Sequence, residues 1–233
     1  MSEWLGGRTV LVTGASSGIG RALAHELVAG GARVIAAARS ADKLHALAAE
    51  IGAGLVPMPG DVTDAAAVER LAAAAGPVDV VVNNAGIGHV EPFLESDPAR
   101  WRLTLDTNLV GALLVARAFL PGMLAAARGL IVNVGSASAT GWPYLTLYAA
   151  SKAALQAASL ALDREYRGRG VRVQYVEVGP TAGTDFGAQS EPAHLPTAAR
   201  AWTELGIAWR TDVATPETSA RAIREAIERG LQP

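Results

Sequence analysis

Cysteine is absent from this chain of 233 residues, and aromatic residues make up only 5% of it. The absence of cysteine excludes disulfide bonds, a catalytic thiolate and a cysteine-based metal site. The four histidines, His25, His45, His89 and His194, lie far apart in the sequence without the spacing that metal ligands show. We therefore expect no metal in this protein.

An excess of charge of either sign is missing as well. Lys and Arg number 20 against 22 Asp and Glu, and neither sign forms a long run. A nucleic-acid-binding protein normally carries a broad basic surface, so we expect no nucleic-acid partner and favour small molecules as partners.

Neither a targeting segment nor a membrane segment is evident. The chain begins without the basic and then apolar pattern of a signal peptide. The longest apolar helical stretch, residues 109–124, is interrupted by Arg117 and Pro121 and is too short to cross a bilayer comfortably. These features predict a cytoplasmic protein with no membrane partner.

Hydrophobic residues, in contrast, make up 50% of the chain, which is enough for a large core. We predict a single domain over residues 1–233. Short β-branched runs alternate with longer segments of helical period, which is the pattern of βαβ units around a mostly parallel sheet. The six predicted strands cover residues 9–13, 33–37, 54–58, 78–82, 129–134 and 171–178.

Helices are predicted between these strands. Ile19, Leu23 and Leu27 recur at a spacing of four, and Gly30 with Gly31 provides a C-terminal stop for that helix. The further helices are predicted around Leu44 and Leu47 and over residues 65–74, 98–118, 146–167 and 216–228.

A glycine-rich turn follows the first predicted strand and leads straight into an amphipathic helix. Glycine lets the backbone turn tightly and approach a pyrophosphate, while the helix N-terminus offers free N–H groups and partial positive charge. The alternative is a turn that only packs closely, because a glycine pattern alone is a weak signal. The strand–turn–helix context favours dinucleotide binding. The residues predicted to take part are Gly14, Ser16, Ser17, Gly18, Ile19 and Gly20.

A tyrosine and a lysine lie four residues apart at the start of a later predicted helix. The sequence Tyr148-Ala149-Ala150-Ser151-Lys152 places both side chains on one helix face. A tyrosine has an ordinary pKa of about 10, and a nearby ammonium group favours the phenolate and lowers that pKa. Lys152 can therefore turn Tyr148 into an acid–base group for hydride chemistry. An isolated Tyr-x-x-x-Lys is more often an ordinary helix with a snorkelling lysine, so the hypothesis depends on the surrounding motifs.

Together with Asn83-Asn84-Ala85-Gly86 after the fourth strand, these motifs resemble the short-chain dehydrogenase/reductase family over nearly the whole chain. The resemblance implies a Rossmann-like α/β fold, a doubly wound parallel sheet of about six strands in the order 3-2-1-4-5-6 with helices on both faces. It implies that Tyr148 is the general acid–base and that Lys152 holds the nicotinamide ribose. Asn108 matches an asparagine that helps to hold a water next to the lysine. The cofactor site then includes Asn84, Ala85, Gly86, Tyr148 and Lys152.

The family also places a serine after the fifth strand, where it hydrogen-bonds the substrate oxygen. This chain has Val134-Gly135-Ser136-Ala137-Ser138 there. The usual position, thirteen residues before the tyrosine, is Gly135 in this sequence, which implies a one-residue deletion in the loop. We expect Ser136 to be the catalytic serine, with Ser138 as the alternative.

The residues after the second strand bear on the choice of dinucleotide. Where family members that prefer NAD carry an aspartate, this sequence has Ala38 followed by Arg39. An arginine can pair with a 2′-phosphate and no carboxylate repels that phosphate, so the resemblance implies NADP(H) rather than NAD(H). The alternative is a solvent-exposed arginine that opens a turn. Asp61 and Val62 resemble the family's adenine contact, and Thr184 its contact with the nicotinamide amide.

The substrate side is less specific in the sequence. Residues 179–196 are rich in Gly, Pro, Ser and Thr and predict a long loop, and we expect a substrate lid over about residues 179–210. Apolar and aromatic loop residues at the C-terminal edge of the sheet suggest a hydrophobic or ring-containing substrate, although such residues are often packing anchors. The residues predicted to wall the pocket are His89, Val90, Phe93, Trp142, Tyr144, Phe186 and Trp202.

The sequence therefore predicts an NADP(H)-preferring oxidoreductase that acts on a small carbonyl or alcohol substrate. We expect it to form a homodimer or a higher homo-oligomer. The alternative is a non-catalytic protein of the same fold that senses the state of a dinucleotide. Such a protein would need a lost catalytic residue or a partner surface, and the complete Ser, Tyr, Lys and Asn set argues against it.

Overall fold

A computed structural model of the protein describes residues 3–187, 190–209 and 213–232. In these ranges six strands form one sheet in the order β3-β2-β1-β4-β5-β6, and every neighbouring pair is parallel. This architecture confirms the predicted doubly wound α/β fold. The strands are β1 Thr9–Thr13, β2 Arg33–Ala38, β3 Leu55–Pro59, β4 Val80–Asn83, β5 Gly129–Val134 and β6 Val171–Val176.

Helices cover both faces of the sheet. Their bounds are α1 Gly18–Ala29, α2 Ala41–Ile51, α3 Ala65–Ala75, α4 Pro98–Leu105, α5 Gly111–Ala125, α6 Thr146–Tyr166, α7 His194–Glu204 and α8 Pro216–Leu231. Helices α1, α2 and α8 bury their apolar residues on one face, and α3, α5 and α6 pack on the other.

The strands are apolar on both sides because both faces are covered. In β1, Val10 and Val12 contribute to one core and Leu11 to the other, as the two-residue period of a strand requires. All three side chains are fully buried. Since parallel strands all end at the same edge, the turns after β1, β2, β4 and β5 meet there, and this is where ligands bind in open α/β sheets.

The helix predicted over residues 98–118 is wrong at its C-terminal end. The chain stays helical through Pro121 to Ala125. Phe119 and Met123 bury their side chains in the sheet's core, and this packing outweighs the hydrogen bond that proline removes. By length and composition alone, the continuous helix Pro98–Ala125 would be apolar enough to cross a membrane, but the same test is passed by core helices.

The loop predicted over residues 179–196 is also wrong at its C-terminal end, because α7 begins at His194. Pro196 lies in the first turn of this helix, where a proline is tolerated since the N–H groups of that turn have no acceptor within the helix. Ala188, Gln189 and Arg210 of the predicted lid lie outside the described residues.

Candidate active site

The glycine-rich turn between β1 and α1 needs glycine for two different reasons. Gly14 and Gly18 have φ values of 66° and 51°, which L side chains rarely adopt. Gly20 has no room for a side chain, because a Cβ there would lie 2.3 Å from the carbonyl oxygen of Gly14. Ser16 and Ile19 lie in the same turn and are half-buried. The backbone is therefore open to close approach, and the first-turn amides of α1 point toward an anion placed there.

Asn84 and Ala85 brace this turn from the neighbouring strand. Asn84 Nδ2 donates to the carbonyl oxygen of Thr13 at 2.9 Å, and the Thr13 hydroxyl accepts from the backbone N–H groups of Asn84 and Ala85, each at 3.1 Å. A Cβ on Gly14 would lie 2.8 Å from Ala85 Cα. The motif after β4 thus holds the glycine turn in shape.

Tyr148 and Ser136 meet at the carboxyl edge of the sheet. The serine follows β5, the tyrosine lies in the first turn of α6, and their side chains are hydrogen-bonded. Ser136 Oγ also lies 2.9 Å from Ser138 Oγ and accepts from the Ser138 N–H at 3.2 Å. Ser138 is buried and bonded to the other serine, and Ser136 is the one of the two that influences the tyrosine.

Lys152 lies one turn further along α6, with its side chain 3% exposed. Its Nζ donates to the carbonyl oxygen of Val134 at 2.8 Å and lies 5.7 Å from the centre of the Tyr148 ring. It also borders Gly86, where a Cβ would come within 3.5 Å of the ammonium group. The lysine thus lies between the tyrosine and the motif that follows β4.

Asn108 connects the two sides of the site. Its Nδ2 donates to the carbonyl oxygen of Ile87 at 2.9 Å and to Ser151 Oγ at 3.0 Å, and its Oδ1 accepts from the Ile87 N–H at 2.8 Å. The residue lies in a π-helical turn, Asp106–Val110, that joins α4 to α5. Such turns are rare and occur mostly at functional sites.

The predicted lowering of the Tyr148 pKa is wrong for the protein alone. Burial is the largest influence and raises the pKa of Tyr148 to about 12, while the hydrogen bond from Ser136 acts in the opposite direction. Burial also lowers the pKa of Lys152 to about 8. Tyr148 is therefore a neutral phenol at physiological pH, which is the form that donates a proton.

Arg39 and two serines lie beside the glycine turn. Arg39 follows β2, is exposed and forms no ion pair with any residue of the described ranges. Ser17 and Ser40 occupy the N-cap positions of α1 and α2 without a side-chain capping bond. The guanidinium group and both hydroxyls are thus free to bind a phosphate group.

Asp61 and Val62 follow β3 and are engaged within the protein. Asp61 Oδ1 accepts from the N–H and the hydroxyl of Thr63 at 2.9 and 2.8 Å. Val62 packs against the start of α5, where a Cβ on Gly111 would lie 2.9 Å from it. Asp61 keeps a second carboxylate oxygen with which to accept a hydrogen bond.

The segment before α7 folds over the site. Thr184 packs against Gly18 of the glycine turn, at 3.2 Å from the position that a Cβ would take. Phe186 contacts the Tyr148 ring edge-on at a centroid distance of 4.7 Å. Its ring fits only because residue 88 is glycine, since a Cβ there would lie 2.2 Å from the phenylalanine. The predicted lid is therefore in contact with both the tyrosine and the turn.

A small cavity of about 20 Å³ opens beside Tyr148. His89, Phe93 and Tyr144 line it as predicted, and Tyr144 holds a φ of 66°, which is a strained backbone conformation for a bulky residue. Five further polar residues line it, and two of them, Glu91 and Arg100, form an ion pair; the others are Ser96, Thr104 and Thr146.

Three other predicted wall residues serve as packing anchors. Val90 and Trp202 are buried in a small hydrophobic cluster with Leu145 and Ala198. Trp142 packs against Trp202 at a centroid distance of 5.6 Å. These side chains support the lid helix rather than line the cavity.

Two further residues of the site were missed in the sequence. Thr13 is fully enclosed at the end of β1, and its position immediately before the first glycine was the available signal. Tyr175 lies on β6 and bonds to the backbone of Ser136, and nothing in its sequence context indicated this contact. Across the described ranges, no group of three or more His, Asp or Glu side chains is arranged to hold a metal.

The comparisons with known proteins agree with this geometry. A family model described as short chain dehydrogenase matches residues 8–195. A solved structure described as a short chain dehydrogenase/reductase family protein superimposes with a TM-score of 0.81 at 36% identity, and covers 95% of this chain and 89% of its own. The chain therefore belongs to the short chain dehydrogenase family, a family of oxidoreductases.

Three named relatives are similar over most of their length. The NADP-dependent 3-hydroxy acid dehydrogenase YdfG of Salmonella typhi is 39% identical over 184 residues, 76% of this chain and 74% of its own. Galactitol 2-dehydrogenase of Cereibacter sphaeroides is 41% identical over 76% of this chain and 73% of its own. A structure titled as the closed form of serine dehydrogenase complexed with NADP+ has a TM-score of 0.81 at 32% identity, with 93% and 88% covered.

Proposed function

We propose that this protein is an NADP(H)-dependent oxidoreductase that interconverts a carbonyl and an alcohol, with Tyr148 as the general acid–base. The observation that carries the proposal is the grouping of Ser136, Tyr148 and the buried Lys152 beside an open glycine turn. Ser136 and Tyr148 carry the hydroxyl groups that would bind a carbonyl oxygen, and Lys152 lies next to the tyrosine.

The chain's own residues perform the proton transfer. In carbonyl reduction, the Tyr148 hydroxyl donates its proton to the substrate oxygen while Ser136 donates a hydrogen bond to the same oxygen. Lys152 keeps a positive charge next to the phenol, which stabilises the phenolate that remains. In alcohol oxidation the same proton returns to Tyr148. When bound, the nicotinamide ring supplies or accepts the hydride.

The residues of the site suit a dinucleotide with a 2′-phosphate. The turn of Gly14 to Gly20 and the N-terminus of α1 accept the pyrophosphate, and Lys152 is placed to hold the nicotinamide ribose. Arg39, with Ser17 and Ser40, would hold the 2′-phosphate. The NADP-dependent relatives support the same choice. We assign the adenine contact to Asp61 with Val62, and the amide contact to Thr184.

The cavity beside Tyr148 favours a small polar substrate. Its lining includes His89, Thr104 and the Glu91–Arg100 ion pair, whose atoms lie 3.1 Å apart. The named relatives act on a 3-hydroxy acid, a sugar alcohol and serine, all of which carry several polar groups. We therefore propose a hydroxylated substrate and no longer the hydrophobic substrate that the sequence suggested.

The cellular location and the oligomeric state are further parts of this proposal. We expect a cytoplasmic protein that acts on small molecules, in a single domain, as a homodimer or higher homo-oligomer. Leu103, Val110 and Leu160 are 43%, 43% and 50% exposed on two helical segments that contact each other, which favours an interface there. Light scattering of the purified protein gives the assembly size directly.

The experiment that tests the function is turnover of a panel of hydroxy acids, sugar alcohols and serine with NADP+, and of the matching carbonyls with NADPH. We expect measurable turnover by the wild type and a loss on the order of a hundredfold or more in Tyr148→Phe. NADPH binding should be unchanged in this variant, because the ring and its contacts remain.

Two outcomes would contradict the proposal. Equal turnover by wild type and Tyr148→Phe would exclude the acid–base role of this residue. Tight NADPH binding without turnover of any class of substrate would favour the dinucleotide-sensing alternative instead.

A further inference from the structure

Gly135 precedes Ser136 and is covered by an aromatic ring from the neighbouring strand. A Cβ on Gly135 would lie 2.1 Å from Cζ and 2.4 Å from Cε1 of Tyr175, which is closer than real atoms approach. The glycine does not have a positive φ, so its backbone conformation alone would accept any residue. The ring of Tyr175, and not the turn, excludes a side chain at this position.

The Tyr175 hydroxyl is bonded to the main chain of Ser136. It accepts from the Ser136 N–H at 3.0 Å and donates to the Ser136 carbonyl oxygen at 3.4 Å. The N–H groups of Gly135 and Ala137 on either side donate to the β6 side, to Val176 and Val178. The N–H of Ser136 between them donates instead to the Tyr175 phenol, which supplies its acceptor.

The Tyr175 side chain starts on β6 and reaches that N–H by extending over Gly135. Tyr175 lies opposite Asn133 in the β5–β6 register, two residues before Gly135. Its side chain extends forward over the Gly135 α-carbon to reach Ser136, so the path exists only because residue 135 has no side chain. Tyr175 and Gly135 therefore form a matched pair.

We propose that Tyr175 is a positioning residue that fixes the backbone of Ser136 so that its hydroxyl meets Tyr148. This inference rests on the proposed function. The Tyr175 ring occupies the space that a side chain on residue 135 would take, and the Tyr175 hydroxyl is bonded to the backbone of Ser136.

The surroundings of Tyr175 support a fixed, neutral phenol. Burial raises its pKa, while the bond to the Ser136 backbone acts in the opposite direction. The group lies close enough to Tyr148 to influence the tyrosine electrostatically, and that influence raises the Tyr148 pKa. A neutral phenol can both accept and donate, as the two bonds to Ser136 require.

Tyr175→Phe tests the inference, because it keeps the ring over Gly135 and removes only the hydroxyl. We expect kcat to fall about five- to tenfold, because the variant loses the hydrogen bond to the Ser136 N–H and the longer one to the Ser136 carbonyl oxygen, with KM and the Kd for NADPH unchanged. The Ser136→Ala variant is the comparison, since Tyr175→Phe should lower kcat no further in that background.

A second readout does not depend on activity. The chain has four tyrosines, so isotope-labelled tyrosine gives a spectrum with few NMR signals. The signal of the Tyr148 hydroxyl-bearing carbon reports its hydrogen bond to Ser136. Tyr175→Phe should move this signal in the same direction as Ser136→Ala does. A Tyr148 signal that moves in Ser136→Ala but stays at the wild-type position in Tyr175→Phe would overturn the inference.

The pairing with glycine is tested by unfolding. Gly135→Ala should destabilise the wild type strongly, because its Cβ meets the Tyr175 ring, and should have little effect in a Tyr175→Ala background. Equal destabilisation in both backgrounds would contradict the pairing. If Ser136→Ala leaves turnover unchanged, the proposed function loses its serine, whereas unchanged kcat and Tyr148 signal in Tyr175→Phe alone refute only the role of Tyr175.

Discussion

Lys152 should titrate near physiological pH, and its charged form should lower the free energy of unfolding of the protein. Its side chain is 3% exposed, and burial lowers its pKa from the ordinary 10.5 to about 8. A shift of this size corresponds to about 3 kcal/mol of unfavourable free energy for the charged form, at about 1.36 kcal/mol per pH unit. The charged form of Lys152 therefore destabilises the folded protein.

The sign of the pH dependence follows from proton binding. Between about pH 8 and 10.5, the lysine of the unfolded chain is protonated and that of the folded chain is not. The unfolded state binds more protons in this window, so the free energy of unfolding should rise with pH there. Below about pH 8 the destabilisation is fully present.

Lys152→Met isolates this effect, because methionine keeps most of the side-chain volume without the charge. Near neutral pH the variant gains about 3 kcal/mol from the missing charge and loses about 1 to 3 kcal/mol because the Val134 carbonyl loses its donor. We expect a small net gain near neutral pH. The difference from the wild type should then fall by about 3 kcal/mol as the pH rises from 8 to 10.5.

Urea unfolding across this pH range measures the difference, with Lys43→Met as the matched control. Lys43 is the chain's second lysine and is exposed, so its removal should leave the pH dependence unchanged. With two lysines, isotope-labelled lysine also gives the Lys152 titration directly by NMR. A difference that stays flat across the range, or a Lys152 titration near 10.5, would refute the reasoning.

Two further predictions concern the lid and the anchoring of α6. Phe186→Ala exposes the Tyr148 ring, and burial is the main cause of the raised Tyr148 pKa. The pH at which alcohol oxidation becomes half-maximal should therefore fall in this variant. Leu205→Ala is the control, because Leu205 is exposed at the end of α7 and its removal should leave that pH unchanged. Burial alone would raise the pKa of Asp163, but the Val173 N–H and two arginines outweigh it, so the pKa is lowered. The stability that this carboxylate contributes is present above about pH 4 and is lost as the pH falls through its lowered pKa. Asp163→Asn should remove that part of the acid sensitivity in unfolding experiments, whereas the exposed Asp185→Asn should not.

Motifs that depend on chain-local geometry were predictable from the sequence. The glycine turn and the Tyr148–Lys152 pair each lie within one strand–turn–helix unit or one helix face, so the period and the residue types were enough to place them in the fold, while their roles rested on the family resemblance. The sheet order followed from the family resemblance, because strand order depends on contacts between distant segments.

Features that depend on burial and on distant contacts could not be predicted. The direction of the Tyr148 pKa shift was wrong because sequence shows the neighbouring lysine but not the low-dielectric surroundings. Trp202 and Phe186 are both predicted from the sequence to wall the substrate pocket, yet Trp202 is buried in a cluster with α7 and Phe186 contacts the tyrosine. Tyr175 on β6 contacts Ser136 after β5 by passing over Gly135, and no local sequence pattern indicates a contact between such distant residues.

The most direct test of the account is a titration of the protein with NADPH and with NADH, comparing the wild type with Arg39→Ala. We predict that NADPH binds more tightly than NADH, and that Arg39→Ala weakens NADPH binding about tenfold to a hundredfold with no change for NADH, as expected for a charge-assisted bond to the 2′-phosphate. If neither nucleotide binds, the glycine turn does not hold a dinucleotide and the proposed function is wrong.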